Sequence, residues 1–415
     1  MRPGLRTMAR ATVIGTVLTL LQGCGTLAGN TIFLYYVRPN DAVVVTQRNQ
    51  LAQLWAPLLR SFEQVDPNAR LEMLMFSERE ITPELRRRQS RGLGPDLILL
   101  SAVQAQELYQ QGLVRRLTLP DEIKDDLLPE VLGRVQVPGG YAALPIARTP
   151  ELACFNRQSM PTAPATLAQL LAQAATGRHV GLSLTPTGIW WTAGSLGADD
   201  ALRRLVLRRR NDPTPVSASD RQAIERWLRW LAHASTQSHV NVFSDVHELT
   251  RGLMARQLDW IPCSSLSMKR LKDALGNDLG VAPLPSGPGG PPSAASPVRV
   301  LAFGLNSSPA QRRRAFDLAR LSLNPLIQRS LSLSDHEILP VNRHAPPPVA
   351  SSEVLEALVK SQNHINNDAL ESLNFSTSEM TRLGRLTDKL LTPMVVNLQS
   401  PEATADAIFR ELPQP

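Results

Sequence analysis

Aromatic residues are scarce in this chain, 5% of its 415 residues, and there are only three cysteines. No Cys/His spacing suggests a metal site, and no cofactor is expected. His239 and His247 do not form an HExxH pair and read as surface or partly buried histidines. There is no P-loop, so the chain is not the ATPase of a transporter. Ser195 in AGSLG is not a G-x-S-x-G elbow, and Ser264, Ser265 and Ser267 lack an S-x-x-K arrangement. Catalysis finds no support, and the chain reads as a non-enzyme. Internal repeats are absent as well.

What is present begins at the N-terminus. Arg2, Arg6 and Arg10 precede an apolar run from Ala11 to Leu21, which stops at Leu21-Gln22-Gly23-Cys24. The run falls short of the roughly 20 apolar residues of a membrane span and has the shape of a secretory signal. Leu-x-Gly-Cys resembles the bacterial lipobox, which predicts a signal over 1–23, lipidation at Cys24 and a tether over 24–30. An uncleaved anchor, or an ordinary signal with a chance cysteine, would look similar. The formal charge of +7 falls by three when those arginines leave with the signal. That is too mild for a nucleic-acid partner, and no nucleic-acid motif accompanies it. With Cys24 used, Cys154 and Cys263 remain. An exported protein could join them, or both could be buried thiols.

The mature chain alternates strand and helix signals, which predicts an α/β protein with mainly parallel sheets. Ile32 to Val37 reads as a strand. Leu51, Leu54, Trp55, Leu58, Leu59 and Phe62 repeat at helical spacing. Leu71 to Phe76 is a second strand, and Leu97 to Leu100 is a run suited to burial on both faces. Ala142 to Ala147 carries Pro145, which fits an extended segment outside the centre of a sheet. Leu152 to Phe155 then opens a second unit. Within it, Thr185 to Gly197 reads as a loop holding Trp190 and Trp191. Ser219 with Gln222 reads as a capping box for a helix burying Ile224, Trp227, Leu228 and Leu231. Val298 to Leu305 reads as a crossing back, and Ile338 to Asn342 as a third crossing.

The stretch from Tyr141 to Pro164, with P-I-A, an apolar run, F-N and then prolines before a Leu-rich helix, resembles the extracellular solute-binding proteins of ABC importers, in their maltose-binding-like class. The segment G-P-D-L-I-L-L-S, helix, Q-G-L-V resembles the same family. The resemblance implies a two-lobed fold like that of periplasmic binding proteins, each lobe a mainly parallel sheet flanked by helices, with three hinge crossings. It implies one lobe from 31–146 with 298–342, and another from 147–297 with 343–415. It also implies capture of a solute, a carbohydrate or similar polar molecule, between the lobes and delivery to the permease subunits of an ABC importer. The place is the periplasm or the outer face of the cytoplasmic membrane, with a lipid anchor. A membrane-tethered sensor or assembly partner built on the same lobes is the competing reading.

In such sheets ligands sit beyond the carboxyl ends of the strands. Those ends offer Asn40, Asp41, Ser77, Glu78 and Ser101 in the first lobe, and Trp190, Trp191, Trp260 and Ser264 in the second. Thr149 joins them from the hinge. A sugar cleft needs aromatic faces and hydroxyl partners together. Adjacent tryptophans point different ways, so one of Trp190 and Trp191 is expected in the cleft and one in the core. The family's hinge acid is replaced here by Arg148-Thr149, and Gly384 stands near a position of the family's C-terminal aromatic. Both departures argue against maltodextrin itself as the solute.

Overall fold

The computed structural model describes residues 30–38, 58–208, 216–334, 338–364 and 377–412. Cys24, Asn40, Asp41 and the first part of the helix expected from Leu51 lie outside that set. Two five-stranded sheets organise the described chain. The first contains β1 (Thr31–Arg38), β2 (Arg70–Ser77), β3 (Leu97–Ser101), β6 (Leu144–Arg148) and β12 (Val298–Phe303), in the order β2-β1-β3-β12-β6. A small hairpin of β4 (Gln136–Val137) and β5 (Gly140–Tyr141) stands apart. The second sheet contains β7 (Glu151–Asn156), β8 (Val180–Ser183), β9 (Val240–Phe243), β10 (Trp260–Ser264) and β11 (Leu279–Ala282), in the order β11-β7-β10-β8-β9.

In the first sheet β1 is parallel to β2 and β3, while β12 is antiparallel to β3 and β6. Leu97 to Leu100 are buried, as a strand covered on both faces requires. Pro145 lies in β6, an edge strand, where its missing N–H removes no ladder bond on the open side. In the second sheet β8 is parallel to β9 and β10, and β7 is antiparallel to β10 and β11.

Helices return from the carboxyl ends of the strands. α1 (Glu78–Gln89) follows β2 and α2 (Ala102–Gln110) follows β3 without a gap. Residues 58–65 are helical, and Leu58 and Phe62 bury against the first sheet. In the second unit α3 (Leu167–Ala175) precedes β8, and α4 (Pro186–Ser195) follows it. There follow α5 (Asp199–Leu207), α6 (Ala218–Ser235), α7 (Val246–Met254) and α8 (Met268–Leu275). After β12 come α9 (Pro309–Leu321) and α10 (Pro325–Ser332) on the first core, then α11 (Glu353–His364), α12 (Thr377–Val395) and α13 (Pro401–Glu411) on the second unit.

Both sheets are mixed, with two parallel and two antiparallel pairings each, which corrects the expectation of mainly parallel sheets: β12 and β7 join their neighbours in the opposite direction. Three further sequence expectations are corrected here. The segment around Trp190 and Trp191 is a helix, not a loop. Thr185 caps it by accepting Gly188 N–H at 3.2 Å, and Pro186 supplies a first-turn residue that needs no partner. Its glycines hid the periodicity, and they are there for close approach: a Cβ on Gly194 would overlap Ser293. The cap of α6 is Ser217, which accepts Asp220 N–H at 3.0 Å, rather than Ser219. Lastly, Val298 to Phe303 is an interior strand of the first sheet, between β3 and β6, so the passage between units precedes it. Its unbroken burial is the mark of a sheet interior.

Candidate functional site

The site is defined by where the chain passes between the sheets. β6 ends at Arg148 and β7 begins at Glu151, leaving Thr149-Pro150 as the connection. The returning segment runs beside it. Thr149 N–H donates to Pro297 O at 2.9 Å, Glu151 N–H donates to Ala295 O at 2.8 Å, and Ala295 N–H donates to the Glu151 carboxylate at 3.1 Å. On the other side Arg148 and Leu339 exchange backbone hydrogen bonds at 2.9 Å in both directions.

This geometry sets which strand ends face each other. Ser101, the last residue of β3, opposes Arg299, and Val298 opposes Arg148. The carboxyl edge of the first sheet therefore adjoins the connection. Ser264, the last residue of β10, opposes Glu151. The carboxyl edge of the second sheet adjoins it from the other side. A cleft between the two edges has the placement that doubly wound sheets use for ligands.

Ser77 and Glu78 stand at the β2–α1 junction, and Glu80 reaches back to Ser77 N–H at 2.8 Å. That bond holds the Glu80 carboxyl below its ordinary range. Ser101 caps α2 by accepting Gln104 N–H at 3.3 Å. Ser264 ends β10, and its hydroxyl accepts Leu266 N–H at 3.3 Å. These four belong to the two facing edges.

The rest of the expected site is revised. Thr149 is 1% exposed, and its hydroxyl donates to Pro297 O at 3.2 Å, so it stitches the connection rather than offering a free hydroxyl. Trp191 and Trp260 are both 0% exposed and lie in the second core with ring centroids 5.9 Å apart. Trp260 opens β10, at the end of the strand away from the cleft. Trp191 lies inside the core, as expected for one of the two adjacent tryptophans, and Trp190 packs against the same core from a partly buried position. Gly384 lies in α12 with open space at its Cβ direction.

The facing edges and the connection also carry buried charged residues that composition did not single out. Arg299, in β12, is 6% exposed. Its Nη2 donates to Val37 O at 2.9 Å and Leu99 O at 3.4 Å, and its guanidinium lies 5.4 Å from the centre of the Tyr36 ring. Burial lowers its pKa, opposed by Tyr36 and Glu78. Arg148 donates from Nε to Pro340 O at 3.0 Å and stands 3.8 Å from Glu130, with burial again lowering its pKa. Burial pushes the Glu151 carboxyl up to about 7, against the opposing pull of the Ala295 N–H. A lone arginine inside the apolar run Val298 to Leu305 was the signal available for Arg299.

Cys154 and Cys263 are joined by a disulfide, with Cα atoms 5.9 Å apart. Cys154 opposes Ile261 while Cys263 opposes Leu152, so the bridge runs diagonally between β7 and β10. A buried disulfide fits an oxidising, extracytoplasmic compartment. Among the described residues no helix is long and apolar enough to cross a membrane, and no cluster of His, Cys, Asp and Glu could hold a metal ion.

The comparisons agree with this architecture. No curated protein matches the chain by sequence. Among solved structures, the GacH receptor of Streptomyces glaucescens GLA.O, determined unliganded and with acarbose, is similar with a TM-score of 0.70 and 14% identity, covering 92% of this chain and 98% of its own. A cyclo/maltodextrin-binding protein complexed with maltotetraose gives 0.69 and 15%, with 92% and 96% covered. A solute-binding protein from Thermotoga lettingae TMO bound to α-D-tagatose gives 0.67 and 13%, with 92% and 100% covered. Identities this low speak for the fold alone. The family model for bacterial extracellular solute-binding proteins matches residues 58–358, well over half of the chain, and the chain belongs to that family.

Proposed function

We propose that this protein is an extracytoplasmic solute-binding lipoprotein of an ABC importer, which captures a sugar or similar polar solute between its two lobes and delivers it to the permease. The observation that carries the reading is the pair of facing carboxyl edges joined by adjacent connecting segments, in a chain of the solute-binding family. The ligands in the similar structures, acarbose, maltotetraose and tagatose, are sugars or sugar-like. The lipobox-like Leu21 to Cys24 and the buried disulfide support an exported, lipid-anchored form in the periplasm or at the outer face of the cytoplasmic membrane.

In this reading the chain crosses between lobes three times, near Thr149-Pro150, at Ala295–Pro297 and after Asn342. The lobes rotate about those short segments and close on the solute. A thermal-shift screen against sugars and polyols, followed by small-angle scattering with any hit, tests it. A bound solute should raise the melting temperature and shrink the radius of gyration. A hit that leaves the scattering unchanged argues against closure, and a chain that binds no solute points instead to the membrane-tethered sensor.

A further inference from the structure

Arg299 is a buried cation with no ion-pair partner among the described residues. Its only hydrogen bonds among the described residues are the two from Nη2, both to neutral carbonyls. A guanidinium carries five N–H donors, so most of its capacity is unused here. Taking a charge out of water is costly unless an opposite charge or a full set of hydrogen bonds offsets it. Glu78, at the start of α1, is close enough to favour the charged form but does not reach ion-pair distance of Arg299. Arg299 sits on the last rung of the sheet before the cleft, opposite Ser101. On the same edge Arg148 ends β6, held by a carbonyl and by Glu130 at 3.8 Å. The N-terminus of α2, capped by Ser101, adds positive potential at this rung. Among the described residues the acids on the edge are Glu78 and Glu80 of α1, and Glu80 is engaged with Ser77.

We infer that the solute taken by this cleft carries a carboxylate or phosphate group, and that the Arg299 guanidinium binds it. The inference rests on the reading of solute capture between the lobes and adds the charge of the solute. With Nη2 engaged by the two carbonyls, Nε and Nη1 remain as donors, and each can give an oxyanion a charge-assisted N–H bond stronger than one to a neutral hydroxyl. An anionic sugar, such as a sugar acid or a sugar phosphate, satisfies both the polar edges and the buried cation.

The test is calorimetric titration of the full chain with matched pairs that differ by one charged group: galactose with galacturonate, and glycerol with glycerol phosphate. Inorganic phosphate and citrate are titrated alongside. The charged member of a pair should bind while its neutral partner does not, and galacturonate and glycerol phosphate report which oxyanion is preferred. Arg299→Gln should weaken that binding by about tenfold or more, and Arg299→Lys, which keeps the charge on a single nitrogen, by less. If Arg299→Gln fails to fold, Arg299→Lys against the natural chain still carries the comparison. Binding of neutral sugars alone, at an affinity that Arg299→Lys leaves unchanged, overturns the inference and leaves sugar capture standing. Binding of citrate or phosphate without any sugar supports the anion site and removes the sugar. No binding by any of these probes overturns both.

Discussion

The disulfide between Cys154 and Cys263 makes a prediction whose size can be worked out. The bridge spans 109 residues of sequence. The unfolded chain loses loop freedom when the bridge is present, and for a span near that length the chain-entropy model gives about 4.7 kcal/mol. Measured bridges usually contribute less, so removal should cost about 2–4 kcal/mol. For a cooperative unit of about 200 residues, each kcal/mol moves the melting temperature by about 2–4 °C, which puts the loss at about 10 °C. Both half-cystines are buried between β7 and β10, so the effect belongs to the second lobe. Scanning calorimetry of the natural chain with and without reductant, beside a Cys154→Ala/Cys263→Ala double variant, measures it. The transition of the second lobe should drop in both cases, and that of the first should stay. A thiol titration that finds the bridge formed, together with an unchanged melting profile after reduction, would refute the reasoning.

Three further outcomes are expected. Trp191→Ala and Trp260→Ala should each cost about 3–5 kcal/mol in chemical denaturation, as truncation of a core aromatic does, and leave the affinity for a bound solute near its natural value. Gly194→Ala should destabilise the second lobe, since the added methyl meets Ser293, whose N–H donates to Trp191 O at 3.3 Å; Ser293→Gly in the same chain should recover part of the loss, read by melting temperature. Glu151, raised from 4.5 to about 7, is held neutral by folding, so its contribution is complete below the unfolded value and is lost as pH rises through about 7. Denaturant midpoints between pH 5 and 8 should therefore fall more steeply for the natural chain than for Glu151→Gln, and equal slopes would show that Glu151 does not titrate there.

Much of the fold could be read from local pattern. Leu97 to Leu100 and Ile32 to Val37 announce strands because continuous apolar runs suit strands buried on both faces. The helix of Ile224, Trp227, Leu228 and Leu231 announces itself because its buried face repeats at the helical period. Pro145 marks an edge strand because a missing N–H is tolerated there. The order of these signals also sufficed to suggest two lobes. Tertiary structure decided the rest, because it depends on contacts between residues far apart in the chain. The α4 helix, rich in threonine and glycine, is stabilised by its cap and by close packing on Ser293, neither of which alters its local periodicity. Trp191 and Trp260 stand 69 residues apart, and only the second core brings them together and takes both from the cleft. Cys154 meets Cys263 because β7 runs antiparallel to β10, a pairing set by the sheet as a whole. Arg299 becomes a buried cation because β12 is inserted between β3 and β6, where the carbonyls of Val37 and Leu99 come within its reach.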